Sequence, residues 1–442
     1  MIPILTTAQM RTADSIAVAE RGVQSLVNAA GTAVGFEAKR MLGSCYGSRV
    51  AVLCGPGLNG SDGRVAASWL KARGARMDII EVARQPTMLH GYDLVIDAAF
   101  GLGCTRPYQA PEISPGAKVL AVDLPSGVES DTGEILGSPL SADVTLAIGA
   151  LKYAHVTGDA AGLVGELRFA GLGIVSQFTD GLVEDSDLEL LVRGSREDHK
   201  WSHAVAALCG STLMPGAAEL VVRGALAGGA SMVRLSSRGE VAGLVRIPAE
   251  AVHADDAKID PRCRAVVAGP GLGAKATPWL GERLSGVVVP VVLDADGLDR
   301  DLLPPPSRSA SYWIMTPHEG EFARLIGEKV PANRVEAVRG LARETGCVVL
   351  LKGPTTIIAD PTGQFRIVRS GTPALATAGS GDVLSGMIAG AIARGHDTMS
   401  AGALSAHLHG LAGARLHAYA GASAIPDLVT EVLEEMRTAS NR

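Results

Sequence analysis

The chain is expected to be an α/β protein of two units, each built on a parallel sheet, and three observations predict this. Short runs that are apolar throughout, such as "RVAVLCG" and "DLVIDAAF", alternate with helical segments from about residue 49 onward. Strands of that kind belong to parallel sheets covered on both faces. Glycine is frequent at 54 residues while aromatics make up only 4%, a balance that suits many tight strand–helix turns and argues against disorder. At 442 residues the chain exceeds what one ordinary core organises.

The elements follow in order. "TTAQMRTADSIAVAERG" reads as an amphipathic helix opened by Thr6 and Gln9 in capping-box spacing, and its interspersed charges exclude a signal peptide. "RVAVLCG" is a strand, and "DGRVAASWLKARG" a helix closed by Gly74. "MDIIEV", "DLVIDAAF", "KVLAVDLPSG", "ADVTLAIGALK" and "GELRFAGLGI" continue the pattern. Between about Leu182 and Lys200 the chain turns charged and loses strand periodicity, so a linker is expected there, with units over 1–190 and 196–442. The rhythm restarts with "AVAALCGS", "ASMVRLS", "RAVVAGPGLG", "PVVLDADG", "YWIMTPHEGE" and "CVVLLKGPTTIIAD". It ends in alanine- and glycine-rich helices whose weak charge suggests a buried or interface surface, hence a homo-oligomer.

Bulk properties exclude several classes. A net charge of −6 gives no electrostatic basis for nucleic acid or an anionic membrane. No apolar run suits a membrane span. Six cysteines, at 45, 54, 104, 209, 263 and 347, show no Cys-x-x-Cys spacing and read as reduced, buried thiols of a cytoplasmic protein.

In the first half, "GPGLNG" (Gly55–Gly60) satisfies G-x-G-x-x-G between a strand and a helix, and Glu81 stands where a dinucleotide fold places its ribose-binding acid. By itself the pattern is equally a plain tight turn. Asn59 and Asp62 add an amide and a carboxylate that a simple phosphate cradle does not use. A second strand end brings Asp123 and a loop through Gly133. Asn59 and Asp123 would offer hard oxygen ligands to a weakly charged cation, with backbone carbonyls completing the shell.

"GPGLNGSDG", "VDLPSGVESDTG" and "ADVTLAIGALK" together resemble the N-terminal epimerase domain of the bifunctional NAD(P)H-hydrate repair enzymes, a Rossmann-like three-layer sandwich. The resemblance spans roughly the first 190 residues. It implies that Leu58, Asn59, Gly60, Ser61 and Asp62, with the loop Gly127, Val128, Glu129, Ser130, Asp131, Thr132 and Gly133, hold the phosphates and ribose of the hydrate. It further implies K⁺ on Asn59 and Asp123, and substrate contact at Asp143. Ser61 replaces a usual glycine and Tyr153 a usual proline. Asp123 is the candidate proton shuttle for epimerisation at C6 of the hydrated nicotinamide.

In the second half, "AGPGLG" provides a turn at a strand end, where Gly271 and Gly273 permit close ligand approach. "VLDADG" and "MTPHEGEFARL" bring Asp294, Asp296, His318 and Glu319 to the ends of further strands, and "LKGPTT" adds a lysine and a turn. In "TAGSGDVLSGMIAG", Gly379, Ser380 and Gly381 present backbone N–H groups to a transferring phosphoryl group. Asp382 follows as acceptor of the proton from an attacking hydroxyl; a mere helix cap would not require two adjacent glycines.

The glycine–aspartate arrangement resembles the anion hole of ribokinase-like kinases. With "TPHEGE", "LKGPTT" and "LATAGSGDVLSG" it resembles the NAD(P)H-hydrate dehydratase domain, from about residue 196 onward. That likeness implies Asp382 as base. It assigns Lys352, Gly353, Pro354, Thr355, Thr356 and Gly381 to the nucleotide (Mg²⁺ with ADP or ATP), and Gly273, His318 and Asp382 to the hydrate. The tyrosine often found before Pro-Gly-Ala is absent. The implied activity is epimerisation of R- and S-NADHX and NADPHX, followed by ADP-driven dehydration of the S form with release of AMP and phosphate. The alternative is a ribokinase-like vitamin-precursor kinase fused to a nucleotide-binding sensor domain.

Overall fold

The computed structural model describes residues 1–174, 180–192, 197–241, 243–254, 258–304, 313–331, 333–417 and 420–440. The chain forms two compact units, Ile2–Asp180 and Gly181–Arg442, the latter joined by Met1.

The first unit begins with α1 (Thr7–Arg21), capped by Thr6, whose side chain accepts from the Gln9 N–H while Gln9 answers to the Thr6 backbone, and α2 (Val23–Leu42). Its sheet contains β1 (Arg49–Cys54), β2 (Arg76–Glu81), β3 (Leu94–Ala98), β4 (Lys118–Val122), β5 (Val144–Ile148) and β6 (Glu166–Ala170). The order is β6-β5-β4-β3-β1-β2 and every pairing is parallel. Alternate residues of each strand face opposite sides. Val50, Val52, Ile96 and Val122 pack against α2 and α3 (Leu58–Lys71), while Ala51, Leu53 and Val95 face Leu89, Tyr108 and other irregular segments. Both faces are therefore covered, as the strand pattern predicts, one by helices and the other by loops and two-residue strands.

The second unit's sheet runs through β7 (Gly181–Leu182), β8 (Ala204–Ser211), β9 (Met232–Arg238), β10 (Ala251–His253), β11 (Ala265–Ala268) and β12 (Val291–Leu293). It continues with β13 (Trp313–Met315), β14 (Val348–Leu351), β15 (Thr356–Ala359) and β16 (Phe365–Val368). Its order is β7-β16-β15-β14-β13-β12-β11-β8-β9-β10. Pairing is parallel from β10 to β14 and antiparallel across β14-β15-β16. Helices α4 (Pro215–Ala227), α8 (Ser380–Ala393), α9 (Thr398–Gly413) and α10 (Ile425–Ser440) share one core with the sheet. Helix α7 (Arg334–Thr345) packs on β14 and β15. The shorter α5 (Thr277–Leu284) and α6 (Glu319–Ile326) follow β11 and β13.

Helices α4 and α8 approach to backbone contact. A Cβ on Gly386 would lie 2.3 Å from the Val221 carbonyl oxygen, and one on Gly224 would lie 2.2 Å from that of Val383. This packing holds the start of α8 at the carboxyl edge of the sheet. Helix α9, the alanine-rich run, is buried nearly all round, so its composition reflects an interior position. The charged stretch expected as a linker forms a 3-10 helix at Asp185–Val192, whose Leu188 is fully buried in the second unit's core. Leu191 packs against the same core, and the boundary falls at 180/181. All six cysteines are free and buried, and no helix among the described residues is long and apolar enough to cross a membrane.

Candidate active sites

In a parallel sheet all strands end on one edge, which is where loops converge on a ligand. In the second unit β11 leads to Gly269–Gly273, β12 to Asp294, β13 to His318 and β14 to Lys352. Asp294 is buried, and its Oδ1 accepts from the Lys352 Nζ at 2.8 Å. A Cβ built on Gly381 would lie 3.2 Å from that Nζ and 3.8 Å from Asp294 Oδ2, so the ion pair stands at the mouth of α8. Burial disfavours the Lys352 ammonium, but the Asp294 charge and hydrogen bond, aided by Glu321 and Asp382, leave it above the ordinary lysine range.

Helix α8 starts at Gly379, a left-handed residue (φ 89°), and has no side-chain cap. A Cβ there would strike Leu220 Cδ1 at 2.2 Å, so both backbone and packing require glycine. Ser380 is diverted from capping, its Oγ donating to the Leu375 carbonyl at 2.7 Å. The Ser380 N–H, expected to face the phosphoryl group, instead donates to the Thr377 carbonyl at 3.3 Å, and the Gly381 and Asp382 N–H groups remain for an anion. Asp382 sits in this first turn. Burial, then the charge of Asp294, raises its carboxyl to about 7 against the opposing pull of Lys352; Asp296 and Glu321 push the same way. A carboxylate poised near neutrality is suited to proton transfer.

His318 is the N-cap of α6, its Nδ1 accepting from Gly320 (3.0 Å) and Glu321 (3.3 Å) while Glu321 accepts from the His318 N–H at 2.8 Å. Only Nε2 of its exposed ring is free for a ligand, apart from Glu321 at 3.5 Å. Gly273 donates its N–H to Asp296 Oδ2 at 2.8 Å. In the 352–356 turn, Thr356 Oγ1 donates back to Gly353 O at 3.3 Å. Arg334, paired with Glu319, lies above the turn, its Nη2 3.3 Å from where a Gly353 Cβ would be.

Three residues here escaped the sequence reading: Glu321, Arg334 and His409. His409 is buried on α9, bonds to the Ser380 backbone and leaves Nε2 without a partner; burial drives its pKa down to about 4, so the ring is neutral. Its signal, the second of two histidines in an alanine-rich helix, looks like any core position. Replacing Gly381 by alanine pushes on the flexible tip of Lys352. The expected result is unchanged or slightly raised thermal stability, from better helix propensity, with KM for the nucleotide up about tenfold, read by steady-state kinetics beside a melting curve.

In the first unit a cavity of about 470 Å³ opens at the carboxyl edge, walled by Met10, Val27 and Ala30 and floored by Asn59, Asp62, Asp123 and Lys152. Asp123 follows β4 with a left-handed backbone (φ 67°). Its Oδ1 accepts from the Ile148 N–H at 3.1 Å and from the Lys152 ammonium, which also donates to the carbonyls of Ile148 (2.8 Å) and Ala150 (2.9 Å). Lys152 is 1% exposed. His155 Nδ1 accepts from the Lys152 N–H at 2.8 Å, so its Nε2 carries the hydrogen and donates to Asp123 O at 2.5 Å. Lys152 was not singled out from sequence, although a lysine ending the apolar run "TLAIGALK" was its signal. Burial, then the charge of Asp123, raises Asp62 to about 8, and burial raises Asp14 as well.

Asn59 and Asp123 do meet: a Cβ on Gly101 would lie 3.2 Å from Asn59 Cγ and 3.3 Å from Asp123 Oδ2. The Asn59 Nδ2 is buried without a partner, and exchanging amide O and N turns an oxygen into that spot. One carboxylate oxygen and one amide oxygen fit a monovalent cation. The expectation leaves open which backbone carbonyls complete the shell; those of Ile148 and Ala150 nearby accept from Lys152. Among the described residues no group of three or more His, Cys, Asp or Glu could hold a metal ion.

Other expected residues are placed elsewhere. Asp143 precedes β5, at the opposite edge of the sheet, and its Oδ2 accepts from the Val119 N–H at 2.7 Å; it does not join Asn59 and Asp123. The Gly127–Gly133 loop does not line the cavity. Glu129 accepts from Asp131 N, Thr132 N and Thr132 Oγ1, and Ser130 and Asp131 bind Thr7. Glu81 is held by Arg64 at 2.7 Å through both oxygens and is no ribose acid.

These features define an α/β enzyme of two units, the second ribokinase-like. A ribokinase-like superfamily protein of Enterococcus faecalis superimposes on it with a TM-score of 0.52 at 20% identity, over 59% of this chain and 98% of that one. A family described as NAD(P)H-hydrate dehydratase matches residues 205–435, and the YjeF-related protein N-terminus matches 23–91 and 80–154. The Bifunctional NAD(P)H-hydrate repair enzyme Nnr of Mycobacterium leprae is 33% identical over 90% of this chain and 89% of its own. That of Mycobacterium tuberculosis H37Rv is 35% identical over 82% of each. The ADP/ATP-dependent NAD(P)H-hydrate dehydratase of Bacillus subtilis, co-crystallised with ATP/Mg²⁺, is 29% identical with a TM-score of 0.52, covering 58% of this chain and 99% of that one. The chain belongs to the bifunctional NAD(P)H-hydrate repair enzymes.

Proposed function

We propose that the second unit dehydrates the S epimer of NADHX or NADPHX at the expense of ADP, and that the first interconverts the R and S epimers. The observation that carries the dehydratase reading is Asp382, raised toward neutrality at an uncapped helix N-terminus beside the Lys352–Asp294 pair. Asp382 accepts the proton of the C6 hydroxyl as that oxygen attacks the terminal phosphorus of ADP, and AMP departs. The N–H groups at the start of α8 steady the charge on the moving phosphoryl group. Phosphate then leaves C6 as the ring nitrogen's lone pair forms the iminium, and loss of a C5 proton restores the dihydronicotinamide. Gly381 and the Lys352–Thr356 turn face the donor, whose Mg²⁺ enters as part of that substrate; Gly273 and His318 face the hydrate.

In the first unit the cavity holds the hydrated ring, with Asp123 and Asp62 beside it. K⁺ on Asn59 and Asp123 Oδ2 would supply a fixed positive charge for an oxygen of the substrate. The assignment of Gly127–Gly133 and Asp143 to the substrate rests on the family resemblance alone. Separated R and S hydrates, incubated with ADP and with ATP, test the whole reading. Return of dihydronicotinamide absorbance from S with one AMP and one phosphate per turnover is expected, and from R only at the rate of epimerisation. A stable phosphorylated hydrate would overturn it in favour of a simple kinase.

A further inference from the structure

The hydrated ring at Asp382 is only one end of a dinucleotide, and the loop through Gly273 leads away from it into a groove of about 410 Å³. The groove is lined by Gly273–Thr277, Asp296, Leu298, Asp299, Arg300, Arg324 and Leu325. Its acids are already engaged. Asp296 holds the Gly273 N–H at 2.8 Å, and Asp299 accepts from Thr277 Oγ1 at 2.5 Å and from the Asp301 N–H at 3.0 Å. Its cations are less so. Arg300 binds Glu344 and the Leu325 carbonyl, but Arg324 and Lys275 have no hydrogen-bond or ion-pair partner among the described residues.

Helix α6 joins the groove to the reacting end. His318 caps it, and Arg324 lies six residues on, about 9 Å along the axis. Lys275 stands just beyond Gly273 at the rim of the groove. The nucleotide turn at Lys352 follows β14, three strands from β11, which leads into the groove, or roughly 14 Å at 4.8 Å per strand. Donor and groove therefore lie on opposite sides of Asp294.

We propose that this groove seats the pyrophosphate–adenosine arm of the hydrated dinucleotide, with Arg324 and Lys275 meeting its phosphates. The proposal rests on the dehydratase reading and adds which part of the substrate is recognised away from the reacting ring.

The test compares the hydrates of NADH and of reduced nicotinamide mononucleotide, which share the reacting ring but differ in the arm, on the full chain with saturating ADP. In Arg324→Ala and Lys275→Ala, KM for the dinucleotide hydrate rises about tenfold each, as for loss of a charged contact, and kcat stays within about twofold. The mononucleotide hydrate, a poorer substrate of the wild type, is processed by the variants as by the wild type. Unchanged KM for the dinucleotide hydrate, or equal losses on both hydrates, overturns the groove assignment while leaving the dehydratase reading intact. Failure of the wild type to turn over either hydrate removes that reading and the groove assignment with it.

Discussion

Asp382→Asn abolishes regeneration of NAD(P)H from the S hydrate, lowering kcat by about 10³–10⁴, within reach of a lost general base. The protein nevertheless stays folded and becomes more stable above neutral pH. The reason is the same environment that makes the residue useful. Burial, then the charge of Asp294, raises the carboxyl to about 7 in the folded chain, against about 3.9 in an unfolded one. A raised acid favours folding while protonated, so its contribution is complete below about pH 4 and is lost as pH rises through about 7. Asparagine carries no charge to desolvate. The variant therefore melts above the wild type at pH 8 and level with it near pH 4. In the wild type, kcat/KM falls about tenfold per unit below pH 7 and levels off above it, because only the carboxylate accepts the hydroxyl proton. Full activity in the asparagine variant would remove Asp382 from the mechanism.

Asp123→Ala reduces R-to-S conversion to the spontaneous rate and leaves dehydration of the S hydrate unchanged, because the two chemistries stand on separate sheets. It also destabilises the first unit. Lys152, 1% exposed, would lose its hydrogen-bonded carboxylate and keep two carbonyls; stranding a buried charge costs about 3–5 kcal/mol. The double change Asp123→Asn with Lys152→Met separates stability from chemistry. It recovers most of the loss in a denaturant titration, since replacing both partners removes the uncompensated charge, yet it does not recover epimerisation. Recovery of both would make the pair purely structural.

Much of the fold was legible because its signals are local. The Thr6–Gln9 cap, the continuous apolar strands and the glycine ahead of α8 each depend on a few adjacent residues, and each gives the element expected. The position of Asp382 was legible in the same way: three residues past a left-handed glycine, it falls in the first turn of α8. Glu81 shows where local reading fails. Its spacing suits a ribose acid, yet Arg64, one helix away on the folded surface, occupies both its oxygens. Asp143 lies apart from Asn59 and Asp123 for a topological reason, since one strand length separates the two edges of a parallel sheet.

By itself, the sequence determined the two α/β units and the placing of Asn59 and Asp123 at strand-end turns and of Asp382 at the start of a helix, because backbone periodicity and turn residues act over short range. Only the tertiary structure decided that Lys152 neutralises Asp123 and that Asp294 and Lys352 meet at the mouth of α8. It alone showed His409 beneath Ser380 and the groove that continues from Gly273. Those arrangements join residues far apart in the chain, and burial and Coulomb interaction depend on where atoms lie in space.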